Sequence, residues 1–560
     1  MEVEKPSSRI WPRLPPELAE HVVKFLPSHE IACTVRLVNK AAAAQFRGTQ
    51  HVIVRLSKPV PFHALAWYLN RPGAMHRLTF SEKRRLLCLI ACSGDPRNLA
   101  LAASYTQCVV GAEVLESAAA AGQLAVCHSL RSAGCPWGSA LASAAEAGQL
   151  EACRWLLANG CPWSKAAVHA AARKGHRAIA AWLQQQRPEG SRPTTLEATV
   201  AAMLHGCSLQ VFLEERAVRE GRVAAALSDA SVARLVLGAA AGSPTADWRA
   251  KIAWLEGLGV PKSSDACREA AACPDALDRL HWLRQRRYAA AADAAAVAAK
   301  LGRTDVLEYL LGEGVVPDVW AARWAAEGGH VAVLTLLQSC GCPVRDSMVL
   351  YAAARTGQMA ALQWLLPGDE SGSAYLFYCA AQSGSVELLA WLRDRGCPRD
   401  ATAFQGAAQA GCEEALEWLV EQGCPMQVDG TAYLAAARNV DMATLRYLRR
   451  LGCPWGPPGW LFTSCVQERC CLHVLFWLLL EGCPVDWEAA VAAARRLVQA
   501  GGGEVHAWLV EQQRQQRLRR QQQRRRVVGQ VGLLAVGAVY AGLAVCTMWK
   551  ARQGCEGLRV

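Results

Sequence analysis

The sequence predicts an all-α solenoid, a stack of helix pairs with a period of about 26–31 residues, and three observations predict it. Gly-Cys-Pro recurs at Gly134, Gly160, Gly341, Gly396, Gly423, Gly452 and Gly482. An aromatic-Leu pair precedes it, as in Trp155-Leu156, Trp391-Leu392 and Trp418-Leu419, and recurs without it at Trp182, Trp254, Trp282 and Trp364. An Ala-rich stretch runs into glycine at Gly122, Gly148, Gly175, Gly302, Gly329, Gly357, Gly384 and Gly411. Chance does not produce three interlocked ladders of one period. A chain of 560 residues is too long for one compact core, but a repeat array lets a single body grow in one direction.

Taken in order, residues 10–47 come first. They hold Leu14-Pro-Pro-Glu-Leu18, an apolar stretch through Val22 to Leu26-Pro27, the pair Glu30-Ile31, and Val38-Asn-Lys40. Short helices broken by proline leave apolar side chains that so small a piece cannot bury alone, so it needs a partner surface. The segment resembles an F-box. Leu14, Pro15, Leu18, Val22, Leu26, Pro27, Ile31 and Val38 fall on that family's motif, and the resemblance implies that they meet the Skp-type adaptor of a cullin–RING ubiquitin ligase. One departure is Ala42, where the family commonly carries Trp; Phe46, one turn later, supplies comparable bulk. Residues 48–83 couple this module to the stack. There, His51–Leu56 reads as a short strand and Phe62–Leu69 as a helix.

The repeats fill residues 84–512, about fourteen units by the ladder spacing. Each begins with an Ala-rich helix such as 164–172, which favours helix and lets neighbours approach closely. A glycine ends it. An amphipathic helix such as 150–157 follows, apolar at i, i+3, i+6 and i+7. In Gly-Cys-Pro the glycine takes the left-handed C′ position, the cysteine packs back at C″, and the proline stops the helix. Ser164, Asp318, Asp400 and Asp486 stand where the next helix wants an N-cap. His176 and His330, after the repeat glycine, read as turn or helix-start residues. Two stretches break rhythm, 184–196 and 238–248, and read as insertions or a seam between two stacks. The pattern Ala-Ala-x-x-Gly followed by an apolar helix resembles ankyrin repeats. The units depart from it by lacking the Thr-Pro-Leu-His start and by being shorter than the usual 33 residues or so. They therefore imply short turns and little of the usual finger.

Past the repeats, the Arg/Gln-rich stretch 513–526 reads as a solvated helix. Val527–Trp549 then runs without a charge, and its length suits a bilayer-spanning tail anchor built from Val527, Leu533, Leu534, Val539, Leu543 and Trp549. Such an anchor would leave the repeats in the cytosol.

Composition narrows the function. The formal net charge is +12, but eight of those charges fall within 511–560, so no nucleic-acid groove is expected along the repeats. The 24 cysteines follow no secretory signal and are expected in a reducing compartment as small buried hydrophobes. No phosphate loop, HExxH or CxxC occurs. Cys340 with Cys342, and Cys465, Cys470 and Cys471 with His473, fit buried repeat positions better than a metal. No catalytic residue, cofactor or metal is expected. Two functions remain: a substrate receptor for a cullin–RING ligase, with a protein substrate on the solenoid, or a repeat scaffold or tether, tail-anchored in a membrane, without a ubiquitin role.

Overall fold

The computed structural model describes residues 15–26, 30–38, 40–48, 51–190, 196–214, 227, 229–368, 372–498, 503–523, 541 and 548. Leu14 and Pro27 lie outside them, as do the six residues named for the membrane anchor. Among the described residues no helix is long and apolar enough to cross a membrane. The chain forms two compact units, Met1–Gln427 with Asn439–Cys453, and Val428–Arg438 with Pro454–Val560.

The repeat is a helix pair, and its local chemistry explains where each helix stops. In the second repeat helix Leu150–Ala158, Gly160 sits at φ +86° and its N–H reaches Leu157 O, while Cys161 N–H reaches Leu156 O at 3.0 Å. That bond pair is the Schellman closure, which the left-handed residue makes possible. The same pair recurs at Gly134–Cys135, Gly341–Cys342, Gly396–Cys397, Gly423–Cys424, Gly452–Cys453 and Gly482–Cys483. The cysteine then bonds within its own repeat. Cys135, Cys342, Cys397 and Cys424 donate to the carbonyls of Gly111, Asp318, Ser373 and Asp400, at 3.3 to 3.4 Å, beside the start of the first helix.

The first helices bury alanine. Ala118, Ala144, Ala171, Ala270, Ala298 and Ala325 are wholly buried, and within the first unit successive first helices from Phe80–Ser93 to Thr402–Ala410 pack closely on one another. The second helices touch one another less, so the small side chains set the inner side of the stack. Nearly every second helix anchors on a buried leucine, among them Leu156, Leu310 and Leu419, while Leu209–Leu213 uses Phe212 instead. Truncating one to alanine costs about 2 to 5 kcal/mol.

A third ladder joins repeats. The residue after the repeat glycine caps the preceding first helix: Gln123 Nε2 donates to Cys92 O at 3.1 Å, and Gln358 Nε2 to Glu327 O at 3.2 Å. Asn439, just ahead of the positive-φ Val440 that stands in for the glycine, donates from Nδ2 to Gln409 O at 2.9 Å. His176 and His330 start their helices as expected, and His330 Nε2 also lies 3.2 Å from Lys300 O.

Two expectations need correction, the strand and the seam. His51–Leu56 is not a strand but irregular chain, with Val52, Ile53 and Val54 exposed and no neighbouring strand to pair with among the described residues. Phe62–Leu69 is a helix, as expected. Neither 184–196 nor 238–248 is a seam, because the helices Lys165–Arg173, Leu196–Gly206 and Ala230–Ala241 pack in series. Gly238 lies inside the last of these, and its lack of a side chain admits Glu269 from the next repeat. The units divide instead around 428–454.

The sequence gives no hint that, within the first unit, the stack meets its own start. The helix Phe80–Ser93 opens with a Thr79–Glu82 capping box. Just before it, His76 O accepts from Glu414 N–H at 3.1 Å, and Arg77 pairs with Glu414 at 3.2 Å. His76 lies 3.2 Å from Glu417 and edge-on to Tyr447. Lys83, wholly buried, puts Nζ 3.4 Å from Gly411 O and from Glu413. Arg446 adds a bond to Gln107 at 2.7 Å. A Cβ on Gly411 would stand 2.6 Å from that of Phe80, so only glycine allows this approach.

In the second unit, helix Trp460–Gln467 packs between Thr431–Arg438 and Trp487–Leu497, again first helix on first helix. Residues 503–523 are helical and mostly exposed.

Candidate protein-interaction surfaces

The N-terminal module has a core of its own: Ala19, Val23, Ile31, Val35 and Phe46, with Leu26 packed against it. Helix Pro16–Val23 turns Ala19 and Val23 inward. Its other side carries Leu18 (55% exposed) and Val22 (53%), and the next turn adds Phe25 (80%). The spacing i, i+4, i+7 puts these three on one face. Val38 (61%) and Leu37 are exposed as well, and Pro15 lies in the open.

So the structure sorts the residues assigned to adaptor binding. Leu18, Val22, Val38 and Pro15 are free to meet a partner. Ile31 is not: at 3% exposure it belongs to the module's core, because the helical turn Ile31–Val35 points it at Val23 and Phe46. Leu26 is half-buried there too. Phe46 is buried in that core, as its bulk suggested, and the side chain at Ala42 is fully enclosed. Sequence reasoning missed Phe25, although its place seven residues after Leu18 marks it.

A second surface lies on the first helices of the repeats between Ala140 and Ala271. A groove of about 800 Å³ is lined there by Arg173, Lys174, Arg234 and Arg268 against Glu146, Asp265 and Glu269. Lys174 pairs with Glu146 at 3.4 Å, and Arg268 with Asp265 at 3.1 Å and Glu269 at 3.0 Å. Two histidines share the groove. Burial pushes His169 below its ordinary value, helped by Lys165. Burial does the same to His205, whose Nδ1 lies 3.1 Å from Arg173 O. Both rings are thereby biased to the neutral form. Small residues such as Ala198, Ala202 and Gly238 keep the floor open.

The Gly-Cys-Pro cysteines are chemically quiet. Every described one is a free thiol. Burial pushes the Gly-Cys-Pro thiols up, to about 11 at Cys342, Cys397, Cys424 and Cys453 and to about 12 at Cys483. A thiol so far above neutrality holds almost no thiolate. Cys340 and Cys471 are exposed. Native N-ethylmaleimide treatment followed by peptide mapping should therefore mark these two first. The Gly-Cys-Pro cysteines should label only after denaturation, and fast labelling of Cys424 or Cys453 in the folded protein would contradict their burial. Among the described residues no group of three or more His, Cys, Asp or Glu side chains is placed to hold a metal ion.

No protein-family model matches the chain, and no curated protein matches it. Solved structures do. The crystal structure of the pentatricopeptide repeat protein PPR10 from maize is similar at 13% identity, covering 89% of this chain and 97% of that one, with a TM-score of 0.22. The same protein in complex with an 18-nt psaJ RNA element matches at 12% identity over 89% and 100%, with a TM-score of 0.21. Superposition that loose carries no argument about ligands. What the helices themselves establish is the coarse class: the described residues form a repeat solenoid of helix pairs, with no strand among them.

Proposed function

We propose that this chain is a substrate receptor. It docks through its F-box-like N-terminal module on the Skp-type adaptor of a cullin–RING ubiquitin ligase and holds a second protein on its ankyrin-like repeats. The observation that carries the reading is the bare face of helix Pro16–Val23. Leu18, Val22 and Phe25 stay exposed on one side while Ala19 and Val23 hold the helix to the module core. A helix with a satisfied inner face and three large apolar groups outside is built to be covered by a partner groove. On this reading the protein binds and positions without catalysing, needs no cofactor, and works facing the cytosol, with the apolar stretch 527–549 tethering it to a membrane.

The test is co-purification of the full-length protein with a purified Skp-type adaptor. Leu18→Asp with Val22→Asp should abolish capture, because each charge would be buried unpaired at the contact, and should leave thermal unfolding unchanged, because both side chains are exposed. Leu26→Asp is the wrong probe, since it would damage the module's core. Adaptor capture that survives the double substitution, or that wild type never shows, would leave the scaffold-or-tether reading in its place.

A further inference from the structure

The second unit carries positive charge that its own carboxylates leave unmatched. Helix 503–523 is fastened near its start by Leu509, which is wholly buried, and is exposed along most of its length. Its arginines are Arg514, Arg517, Arg519 and Arg520, and its last acid is Glu511. Glu511 reaches Arg514 at 3.9 Å, and no carboxylate among the described residues pairs with the other three. A groove of about 620 Å³ separates this helix from Trp487–Leu497, lined by Arg495, Arg496 and Gln513 over Val491 and Ala492, with Glu488 its one acid. Arg495 and Arg496 are exposed and likewise pair with no carboxylate among the described residues. Arg517 and Arg520 follow Gln513 at i+4 and i+7, so they extend the groove's side of the helix. Arg514 borders that side, and Val510 (43% exposed) and Leu518 (49%) stand one turn before and after it.

We propose that this face docks on the headgroups of an anionic lipid leaflet, with helix 503–523 lying along the membrane surface. The proposal rests on the tether reading for the presence of a membrane, and it names the lipid charge that the tethered chain meets. Spare guanidiniums are suited to phosphate groups, which they grip bidentately. Each basic side chain held near an anionic leaflet adds a favourable increment of its own. The apolar side chains fit the same ligand. Val510 and Leu518 on either side of Arg514 make the mixed face of an interfacial helix, whose apolar groups enter the headgroup boundary while the arginine stems snorkel. Position agrees as well: the uncharged stretch 527–549 begins four residues past this helix, so a bilayer that held the stretch would hold the arginines at its surface.

A nucleic acid would be drawn by the same charge, and the side chains beside the arginines favour lipid. Binding of single strands also uses aromatic platforms for the bases, and helix 503–523 has no aromatic side chain after Trp508. A phosphate backbone offers nothing to cover Leu518, whereas the acyl boundary does.

The test is flotation of the full-length protein, at limiting lipid, with vesicles of phosphatidylcholine alone and of phosphatidylcholine mixed with phosphatidylserine. Binding to the neutral vesicles reads the apolar stretch, and the gain with phosphatidylserine reads the arginines. Partitioning of wild type should gain at least about tenfold, and the gain should vanish in high salt. Arg514→Gln with Arg517→Gln and Arg520→Gln should lose most of that gain and keep the binding to neutral vesicles. Thermal unfolding of this variant should be unchanged, because all three side chains are exposed. Arg519→Gln, on the opposite side of the helix, should cost less than Arg517→Gln, and Leu518→Gln should lose part of the gain although it removes no charge. The proposal is overturned if phosphatidylserine brings no gain, if the triple variant keeps it, or if a labelled oligouridylate binds these arginines more tightly than the vesicles do. A gain with phosphatidylserine but no binding to neutral vesicles would remove the tether reading and leave this face standing. Neutral binding without the gain would do the reverse.

Discussion

Lys251→Met should loosen the repeats from 196 to 257 by about 3 to 5 kcal/mol, the usual cost of removing one partner from a buried charged cluster. Lys251 is wholly buried. Its ammonium donates to Leu204 O at 2.8 Å, Ser243 Oγ at 2.8 Å and Thr245 Oγ1 at 2.6 Å, and lies 3.5 Å from Asp247. Met fills similar space but leaves the carbonyl and both hydroxyls without their donor. Arg279 stands nearby, bonded to Ala241 O, Ser243 O and Asp275, and cannot move to replace it. Hydrogen exchange, which reads local opening in a repeat array, is the measurement. Exchange across helices Leu196–Gly206 and Trp248–Gly257 should quicken, while helices beyond 300 stay protected.

The same residue gives a pH test with a definite sign. Burial holds Lys251 below its ordinary 10.5, although Asp247 pulls the other way. Between the folded value and 10.5, the unfolded segment binds more protons than the folded one. Stability of this region should then rise as pH rises through that alkaline window. Lys251→Met should lose the rise. Exchange protection that is equally pH-dependent in the variant would contradict the assignment.

Lys83→Met should open the contact that returns the first unit's stack to its start, again by about 3 to 5 kcal/mol. The substitution leaves Gly411 O and Glu413 without their cation. It also removes the cation whose field favours the charged form of Asp441, a wholly enclosed carboxyl that burial already pushes up, against the bonds from Thr444. Exchange should quicken in 76–93 and 411–450 together, although more than three hundred residues separate them. Adding Glu413→Gln should recover part of the loss, because it removes the anion left behind. Quickening on one side only would mean that the two segments do not support each other.

The helix pair and its stops are written in the chain. Gly134 to Gly482 were legible because only a residue comfortable at positive φ can close a helix that way, and the Cys-Pro behind each has one local role. The inward leucines and alanines were legible for a similar reason: helical period assigns them a face without reference to distant parts. In the N-terminal module the packing of individual residues is not legible locally. Val22 and Ile31 look alike in sequence, yet the first faces out and the second in. Which apolar residue fills a small core depends on how three short helices cross, and no local rule specifies that.

Periodicity and turn chemistry thus determined by themselves that this is a solenoid of helix pairs, where each helix ends and which faces are buried. All of these are contacts within one repeat or between neighbours, and they repeat. Only the tertiary structure decided that Lys83 meets Gly411 and Glu413, and that His76 meets Glu417 and Tyr447. The physical reason is accumulation. Each repeat adds a small rotation fixed by the packing of alanines, and the sum over many repeats places distant residues side by side. A single repeat's sequence does not carry that sum.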